Sequence, residues 1–173
     1  ASDELDKVEL PALGQLQSLG WSYVEGAKLS PDESDERSSF KDVVLEKRLT
    51  ESLKRINPWI NNENLRTVIR DLTKTLYPNL VEANQAIWTQ INQSVSVMQD
   101  LGNGNKNQTV NIIDFKNFEN NEFLCTNQFK VSGVNQNIIP DILCFVNGLP
   151  LAVIECKSPY ITNPMEAGID QLL

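Results

Sequence analysis

The sequence predicts an α+β fold in which helices come first and a meander of strands follows. Apolar residues recur at helical spacing through much of the first 98 residues, and short runs rich in β-formers follow the flexible turn Gly102-Asn103-Gly104-Asn105. The 173 residues are 40% hydrophobic and 22% charged, which is enough apolar material for one substantial core. We therefore predict a single domain over residues 1–173, with helices covering a central mixed or antiparallel sheet.

The predicted helices are bounded by capping residues and prolines. An acidic N-terminal helical segment covers residues 4–19. A second helix, capped by Ser38 or Ser39, ends near Ile56 because Asn57-Pro58 stops it. A third starts at Asn61 or Asn62 and ends near residues 77–78, and a fourth covers about residues 80–98.

The predicted strands lie near residues 109–115, 122–131, 141–146 and 151–157, and a short helix is expected after Pro164. Helices two to four should cover one sheet face. Trp59, Trp88 and Phe40 are expected in the core or between helices, not as a base-stacking platform.

The last two predicted strands form a hairpin around the turn signal Asn147-Gly148. An ideal two-residue turn would place Asp141 opposite Ile154 and send Glu155 to the other face. A three-residue loop or a bulge would instead place Asp141 opposite Glu155, with Lys157 on the same face. We predict this second register.

Both faces of that hairpin are apolar, so its strands are expected near the centre of a sheet covered on both sides. Two carboxylates converging at its open end repel each other unless a cation joins them, and oxygen ligands suit Mg²⁺ or Mn²⁺. The Cys156 carbonyl is a further candidate ligand. These groups suit metal-dependent cleavage of a phosphodiester, in which Lys157 is a candidate to orient the attacking water or to stabilise the negative charge that develops. The alternative is a salt bridge at the strand ends.

Composition excludes several other chemistries. The chain has no histidine, which excludes a Ser-His-Asp triad and histidine-ligated zinc, and it has no P-loop for ATP. Three cysteines without a C-x-x-C pair predict buried free thiols and a reducing cytoplasm. No long apolar run or basic-then-apolar leader is seen, so we expect a soluble protein without membrane contact.

The net charge of −8 differs from the basic surface expected of a dedicated duplex-binding domain. We therefore expect weak DNA binding by this chain alone, with most phosphate contacts supplied by attached or partner modules. Lys47, Arg48, Lys54 and Arg55 form a modest basic patch that fits a solvated helix face better than a DNA track.

Several stretches resemble the amino-terminal nuclease domain of type I restriction enzyme R subunits. They are Pro140-Asp141, residues 145–151 and 154–159, and upstream residues 10–13, 19–23, 44–49, 56–58 and 113–117. The resemblance covers nearly the whole chain. It implies a PD-(D/E)xK, restriction-endonuclease-like core with Asp141 and Glu155 as metal ligands and Lys157 as the catalytic lysine.

Two further residues become candidates through this resemblance. The family carries a Gln-x-x-x-Tyr motif on the following helix, and Gln171 stands at its glutamine, although an ordinary exposed helix residue is an equal alternative. Nucleases of this group often direct a helical acid at the metal, which makes Glu46 a candidate. A solvated glutamate beside Lys47 is the more ordinary interpretation, and Asp114 is similarly read as a turn acid.

The resemblance also implies a parent subunit with two helicase-like motor domains, where ATP would be used. Double-stranded DNA would be the substrate, and methyltransferase (M) and specificity (S) subunits would be partners. Two alternatives stay open: a non-catalytic docking module, and the nuclease portion of another helicase-nuclease defence system.

Overall fold

The computed structural model describes residues 8–74, 80–133 and 135–156. Their elements are helices α1 to α4 and strands β1 to β8. The helices are α1 (Leu10–Ser18), α2 (Glu46–Ile56), α3 (Asn62–Lys74) and α4 (Leu80–Asn92). The strands are β1 (Ser22–Tyr23), β2 (Val95–Asp100), β3 (Asn105–Val110), β4 (Phe123–Asn127), β5 (Val131–Ser132), β6 (Asn137–Ile138), β7 (Ile142–Val146) and β8 (Leu149–Ile154).

The main sheet has the strand order β1-β4-β7-β8. β1 runs parallel to β4, whereas β4, β7 and β8 are antiparallel, so the sheet is mixed as the sequence predicted. Separate two-stranded pairs are formed by β2 with β3 and by β5 with β6.

Apolar residues cover both faces of this sheet. On one face, α2, α3 and α4 pack Leu49, Val68 and Ile87 into a core shared with Leu124 and Phe145. On the other face, α1 contributes Leu13 to a smaller cluster of buried residues, which also contains Cys125, Ile142, Cys144 and Cys156. The predicted burial on both sides is confirmed for β7, whose five residues are all buried, but not for β8, which lies at the edge of the described sheet and exposes Ala152.

An edge strand needs protection, and α4 supplies it here. β8 is the last strand of the sheet, and the Asn84 side-chain amide donates to the Pro150 carbonyl at 2.9 Å. The indole N–H of Trp88 donates to the Leu151 carbonyl at 3.0 Å. Trp88 was expected in the core or between helices; it is 44% exposed and lies instead where α4 contacts the edge of β8.

Several predicted element boundaries were wrong. The second predicted helix starts at Glu46 instead of Ser38 or Ser39, because the Asp42 carboxylate accepts both of these backbone N–H groups and folds them into a turn. The fourth predicted helix ends at Asn92 instead of near residue 98, and residues 95–98 belong to β2.

Two predicted strands also had the wrong bounds. The predicted strand at 109–115 overlaps only the end of β3. Ile112 and Ile113 are buried but lie outside any strand. The predicted strand at 122–131 is divided into β4 and β5 around the left-handed residue Gln128. The predicted turn at Gly102-Asn103-Gly104-Asn105 is present, but it joins β2 to β3 and does not follow a helix.

Candidate active site at the open end of the β7–β8 hairpin

The hairpin combines a two-residue turn with a bulge. Val146 pairs with Leu149 and Phe145 with Pro150 across Asn147-Gly148. The register then shifts, so that Cys144 pairs with Ala152 and Ile142 with Ile154. Leu151 is the extra residue. The predicted one-residue shift is therefore present, but it comes from a bulge within β8 and not from a three-residue loop.

This register brings the two predicted acids to facing positions. Asp141 and Glu155 are the next residues beyond the Ile142–Ile154 pair, so continuing the register sets one opposite the other. Asp141 is half-buried and Glu155 is exposed. The Cys156 backbone N–H donates to Asp141 Oδ2 at 2.7 Å, so the Asp141 carboxylate is hydrogen-bonded to the residue that follows Glu155.

Glu46 lies far from this pair of acids. The Leu45 backbone N–H, immediately before α2, donates to the Gly148 carbonyl at 2.9 Å, so the start of α2 is docked on the turn of the hairpin. At about 3.3 Å per residue, the turn is roughly 20 Å from Asp141 along β7. Glu46 instead lines two surface cavities, one between α2 and residues 35–44 and one between α2 and α3, and neither cavity includes Asp141.

Lys157 and Gln171, predicted as the catalytic lysine and the motif glutamine, lie outside the described residues, as does the helix expected after Pro164. Asp114 is a turn residue. Its carboxylate accepts the backbone N–H groups of Lys116 and Asn117 and the side-chain amide of Asn120, and the Asn117 bond is the main reason why the pKa of Asp114 is lowered. This agrees with the interpretation of Asp114 as a structural acid.

The three cysteines are free and buried, as predicted. Burial raises the pKa of the Cys144 thiol to about 11 and also raises that of Cys125. Because thiolates are the metal-binding form of cysteine, these two side chains are poor ligands at neutral pH. In the described part of the chain, no three acidic, histidine or cysteine side chains are grouped closely enough to hold a metal ion.

A buried hydrogen-bond network at the Asp141 end of the sheet was not predicted from the sequence. Glu9 is only 4% exposed, and its Oε1 accepts from the side-chain amides of Asn127 at 2.9 Å and Gln128 at 3.5 Å. The Tyr23 hydroxyl donates to Asn127 Oδ1 at 2.6 Å. A glutamate just before a proline-containing helix is an ordinary helix-start residue, so its sequence context did not signal burial.

The basic residues of α2 are partly committed to internal contacts. Arg48 forms ion pairs with Glu36 at 2.8 Å and Glu122 at 3.0 Å. Arg55 Nε donates to the Asn120 carbonyl at 2.7 Å. These two arginines therefore hold neighbouring loops, and Arg48 in particular does not lie on a solvated helix face as expected.

Comparison with known proteins identifies the family. The chain is 34% identical over 154 residues to the HindI type I restriction enzyme endonuclease subunit of Haemophilus influenzae. It is 35% identical over 155 residues to the similarly named MjaIXP endonuclease subunit of Methanocaldococcus jannaschii. Each alignment covers 88% of this chain but only 15% of the relative.

A family model agrees with these relatives. The model that describes the type I restriction enzyme R protein N terminus matches residues 2–173. Among the residues that the structure describes, no helix combines the length and apolarity needed to cross a bilayer. The chain belongs to the family of type I restriction enzyme R protein N termini.

Proposed function

We propose that this chain is the DNA-cleaving domain of a type I restriction enzyme R subunit and that it hydrolyses phosphodiester bonds with a bound Mg²⁺. The supporting observation is the bulge at Leu151, which sets Asp141 and Glu155 at facing positions at the open end of the hairpin. Bulges recur beside active sites because they re-aim side chains. Without this bulge, Glu155 would point to the other sheet face.

The donor set fits Mg²⁺. Mg²⁺ in phosphate-processing sites is commonly bound by one or two carboxylates, while water and substrate phosphate fill the other positions. The proposed ligands are Asp141, Glu155 and the Cys156 carbonyl. The Cys156 N–H donates to Asp141 Oδ2, so the Cys156 backbone lies beside the Asp141 carboxylate. Mn²⁺ would substitute, since it prefers the same oxygen ligands.

Each residue has a distinct task in this proposal. Asp141, restrained by its bond from Cys156, presents a fixed carboxylate, and Glu155 adds a second negative charge. The Lys157 ammonium orients the attacking water and stabilises the negative charge that develops on the phosphate oxygens. When bound, Mg²⁺ supplies Lewis-acid polarisation of the scissile phosphate and lowers the pKa of a coordinated water. Glu46 has no part in this site because it lies at the turn end of the hairpin.

The chain spans about 15% of the length of the curated relatives it matches. We propose that residues 1–173 form one domain of a longer subunit whose motor domains use ATP, and that DNA specificity is provided by M and S partner subunits. The proposed location is the cytoplasm, and the proposed substrate is double-stranded DNA. The family assignment favours this system over another helicase-nuclease defence system.

The test is calorimetric titration of Mn²⁺ into the wild type and into Asp141→Ala, Glu155→Ala and Lys157→Ala, with plasmid cleavage measured on the same samples. We expect either acid substitution to abolish binding. Lys157→Ala should retain binding and lose any cleavage, because an ammonium group does not ligate the cation. If the folded wild type bound no Mn²⁺, the metal site would be rejected and a non-catalytic docking role would be favoured.

A further inference from the structure

Two phenylalanine rings in the segment between β3 and β4, Phe115 and Phe118, have no role in the chemistry proposed above. Phe115 is 66% exposed and Phe118 is 58% exposed. The two rings, here called the aromatic pair, meet edge to face with their centroids 6.5 Å apart. Phe118 also lies nearly parallel to the Phe123 ring at 6.4 Å. Adjacent exposed apolar groups of this kind mark a surface that contacts another molecule.

The segment that carries the aromatic pair is held by hydrogen bonds. The Asp114 carboxylate accepts the backbone N–H groups of Lys116 and Asn117. The Asn121 side chain accepts from the Asp114 backbone N–H and donates to the carbonyls of Asp114 and Phe118. The backbone is therefore fixed in the conformation that leaves both rings exposed.

Phe115 also lines a cavity of about 220 Å³, which lies between the end of α4, the strands β2 and β3, and residues 111–115. Apolar walls are provided by residues such as Ile91 and Val95. The lining residues with side-chain amides are Gln90, Gln93 and Asn111. None of the described residues that line this cavity carries a charge.

The walls of the cavity are preformed. Asn57 holds the backbone of Asn111 in both directions, because its Nδ2 donates to the Asn111 carbonyl and its Oδ1 accepts from the Asn111 N–H, each at 2.8 Å. Val95 is fixed by its pairing with Val110 across β2 and β3. A ligand would therefore enter an ordered site and would have little backbone to immobilise.

The chemistry of the cavity fits one neutral, planar group. Its volume is smaller than the roughly 300–1,000 Å³ of sites for drug-sized ligands. An uncharged lining gives no counter-charge to a phosphate or a free metal ion. Side-chain amides carry both a donor and an acceptor and match the edges of nucleobases, and an aromatic ring stacks on their faces. In a duplex these faces are stacked on neighbouring bases, so the base that fits here is an unpaired one.

The cavity lies at the turn end of the β7–β8 hairpin, away from Asp141. The carbonyl of Ile112, another lining residue, accepts a hydrogen bond from the Asn147 side chain in the hairpin turn. The turn is roughly 20 Å from Asp141 along β7. A DNA strand covers that distance in about six nucleotides at roughly 3.4 Å each. The cavity is therefore separate from the proposed metal site, and the exposed Lys116 beside Phe115 offers a cation to a nearby phosphate.

We propose that Phe115 and the adjoining cavity bind an unpaired nucleobase of a DNA strand. The base stacks on the Phe115 ring, which Phe118 supports from the side, and its edge bonds to the amides that line the cavity. The inference rests on the proposed function for its DNA substrate, but binding of the base requires no metal. The site would hold a strand at a distance from the bond to be cut.

The test measures fluorescence anisotropy of a labelled, mixed-sequence single strand of about twelve nucleotides, at low ionic strength and with EDTA present. We expect Phe115→Ala to weaken binding about five- to hundredfold, as for loss of one stacked base. Phe115→Trp should retain binding, because it keeps an aromatic face. Asn111→Ala should weaken binding about twofold or more through loss of an amide. An abasic strand of equal length should bind at least about tenfold more weakly than the normal strand.

Leu101→Ala is the matched control. Leu101 is an apolar residue, 47% exposed, in the turn between β2 and β3, and it does not line the cavity. Its substitution should leave binding unchanged. If Phe115→Ala bound the strand like the wild type, or if the abasic strand bound equally well, the inference would be overturned and the aromatic pair would be assigned to a protein contact. Absence of binding to the wild type would also overturn it. Because EDTA is present, failure of the Mn²⁺ titration would reject the metal site and leave this result standing.

Discussion

The Asn147 side chain holds the turn end of the β7–β8 hairpin through a set of buried hydrogen bonds. Asn147 is fully buried and left-handed, with φ of 53°. Its Nδ2 donates to the Ile112 carbonyl and to Asn121 Oδ1, while its Oδ1 accepts from the Glu122 backbone N–H. One side chain therefore ties two segments to the hairpin, one at Ile112 and one at Asn121 and Glu122.

Asn147→Ala should be strongly destabilising. It removes these three hydrogen bonds, leaves buried partners unsatisfied and makes the positive φ less favourable, so we expect a loss of about 3 kcal/mol or more in the free energy of unfolding. Urea denaturation would measure it. Asn107→Ala, at an exposed position of β3, is the control and should stay within about 0.5 kcal/mol of the wild type. Similar small effects in both variants would refute a structural role for Asn147.

Asp114 should make stability depend on pH. Hydrogen bonds from the folded chain lower its pKa below the ordinary 3.8, with the Asn117 N–H as the main cause. The unfolded state therefore binds this proton more readily, and stability rises with pH through this range. The contribution is complete above the unfolded pKa and is lost as pH falls through the folded pKa.

Asp114→Asn removes this titration. We therefore expect the difference in unfolding free energy between the wild type and Asp114→Asn to be largest at neutral pH and to shrink below about pH 4. Urea denaturation of both proteins from pH 7 to pH 2.5 would follow the difference. A difference that stays constant across this range would mean that the turn does not lower the pKa of Asp114.

At the scale of elements, α2 is joined to the hairpin through a glycine. Gly148 has φ of 81°, and a Cβ there would lie 2.5 Å from the Leu45 carbonyl oxygen and 2.8 Å from the Leu49 backbone nitrogen. Only a residue without a side chain allows the start of α2 to approach the turn this closely.

Alanine substitutions at two glycines should therefore have opposite signs. Gly148→Ala should cost about 1–3 kcal/mol from backbone strain, and more where α2 has to move. Gly14→Ala, in α1, meets no atom within 4 Å of the added Cβ and should stabilise the protein by about 0.5–1 kcal/mol. Thermal unfolding of both variants would decide, and stabilisation by Gly148→Ala would contradict the described docking of α2.

The sequence was informative where local chemistry decided the outcome. The Asn147-Gly148 turn and the facing positions of Asp141 and Glu155 followed from turn preference and from the need for a bulge. β2 was missed because residues 95–98 continue an apolar pattern from α4, and only pairing with β3 makes them a strand. Glu9 was missed because its burial depends on Asn127, which is 118 residues away in the chain.

At the scale of the whole molecule, the net negative charge is unfavourable for holding a DNA duplex. The net charge is −8, and Arg48 and Arg55 already bind neighbouring groups within the fold. Duplex binding depends largely on neutralising phosphates with lysine and arginine. Under the proposed function, a domain of this charge would cleave DNA that other parts of a larger subunit hold; the chain itself spans 15% of the length of these relatives.

Binding of a divalent cation should stabilise the whole fold, because the two proposed ligands meet only when β7 and β8 are paired. A ligand that binds only the folded state adds about 2.7 kcal/mol at one hundred times its Kd. For a chain of this size, that corresponds to a rise in Tm of roughly 5–10 °C. Differential scanning calorimetry with Mn²⁺ would measure the rise. Asp141→Ala and Glu155→Ala should remove it, whereas Glu46→Ala should retain it, since Glu46 lies at the turn end. An equal rise in all four proteins would show that the cation binds elsewhere.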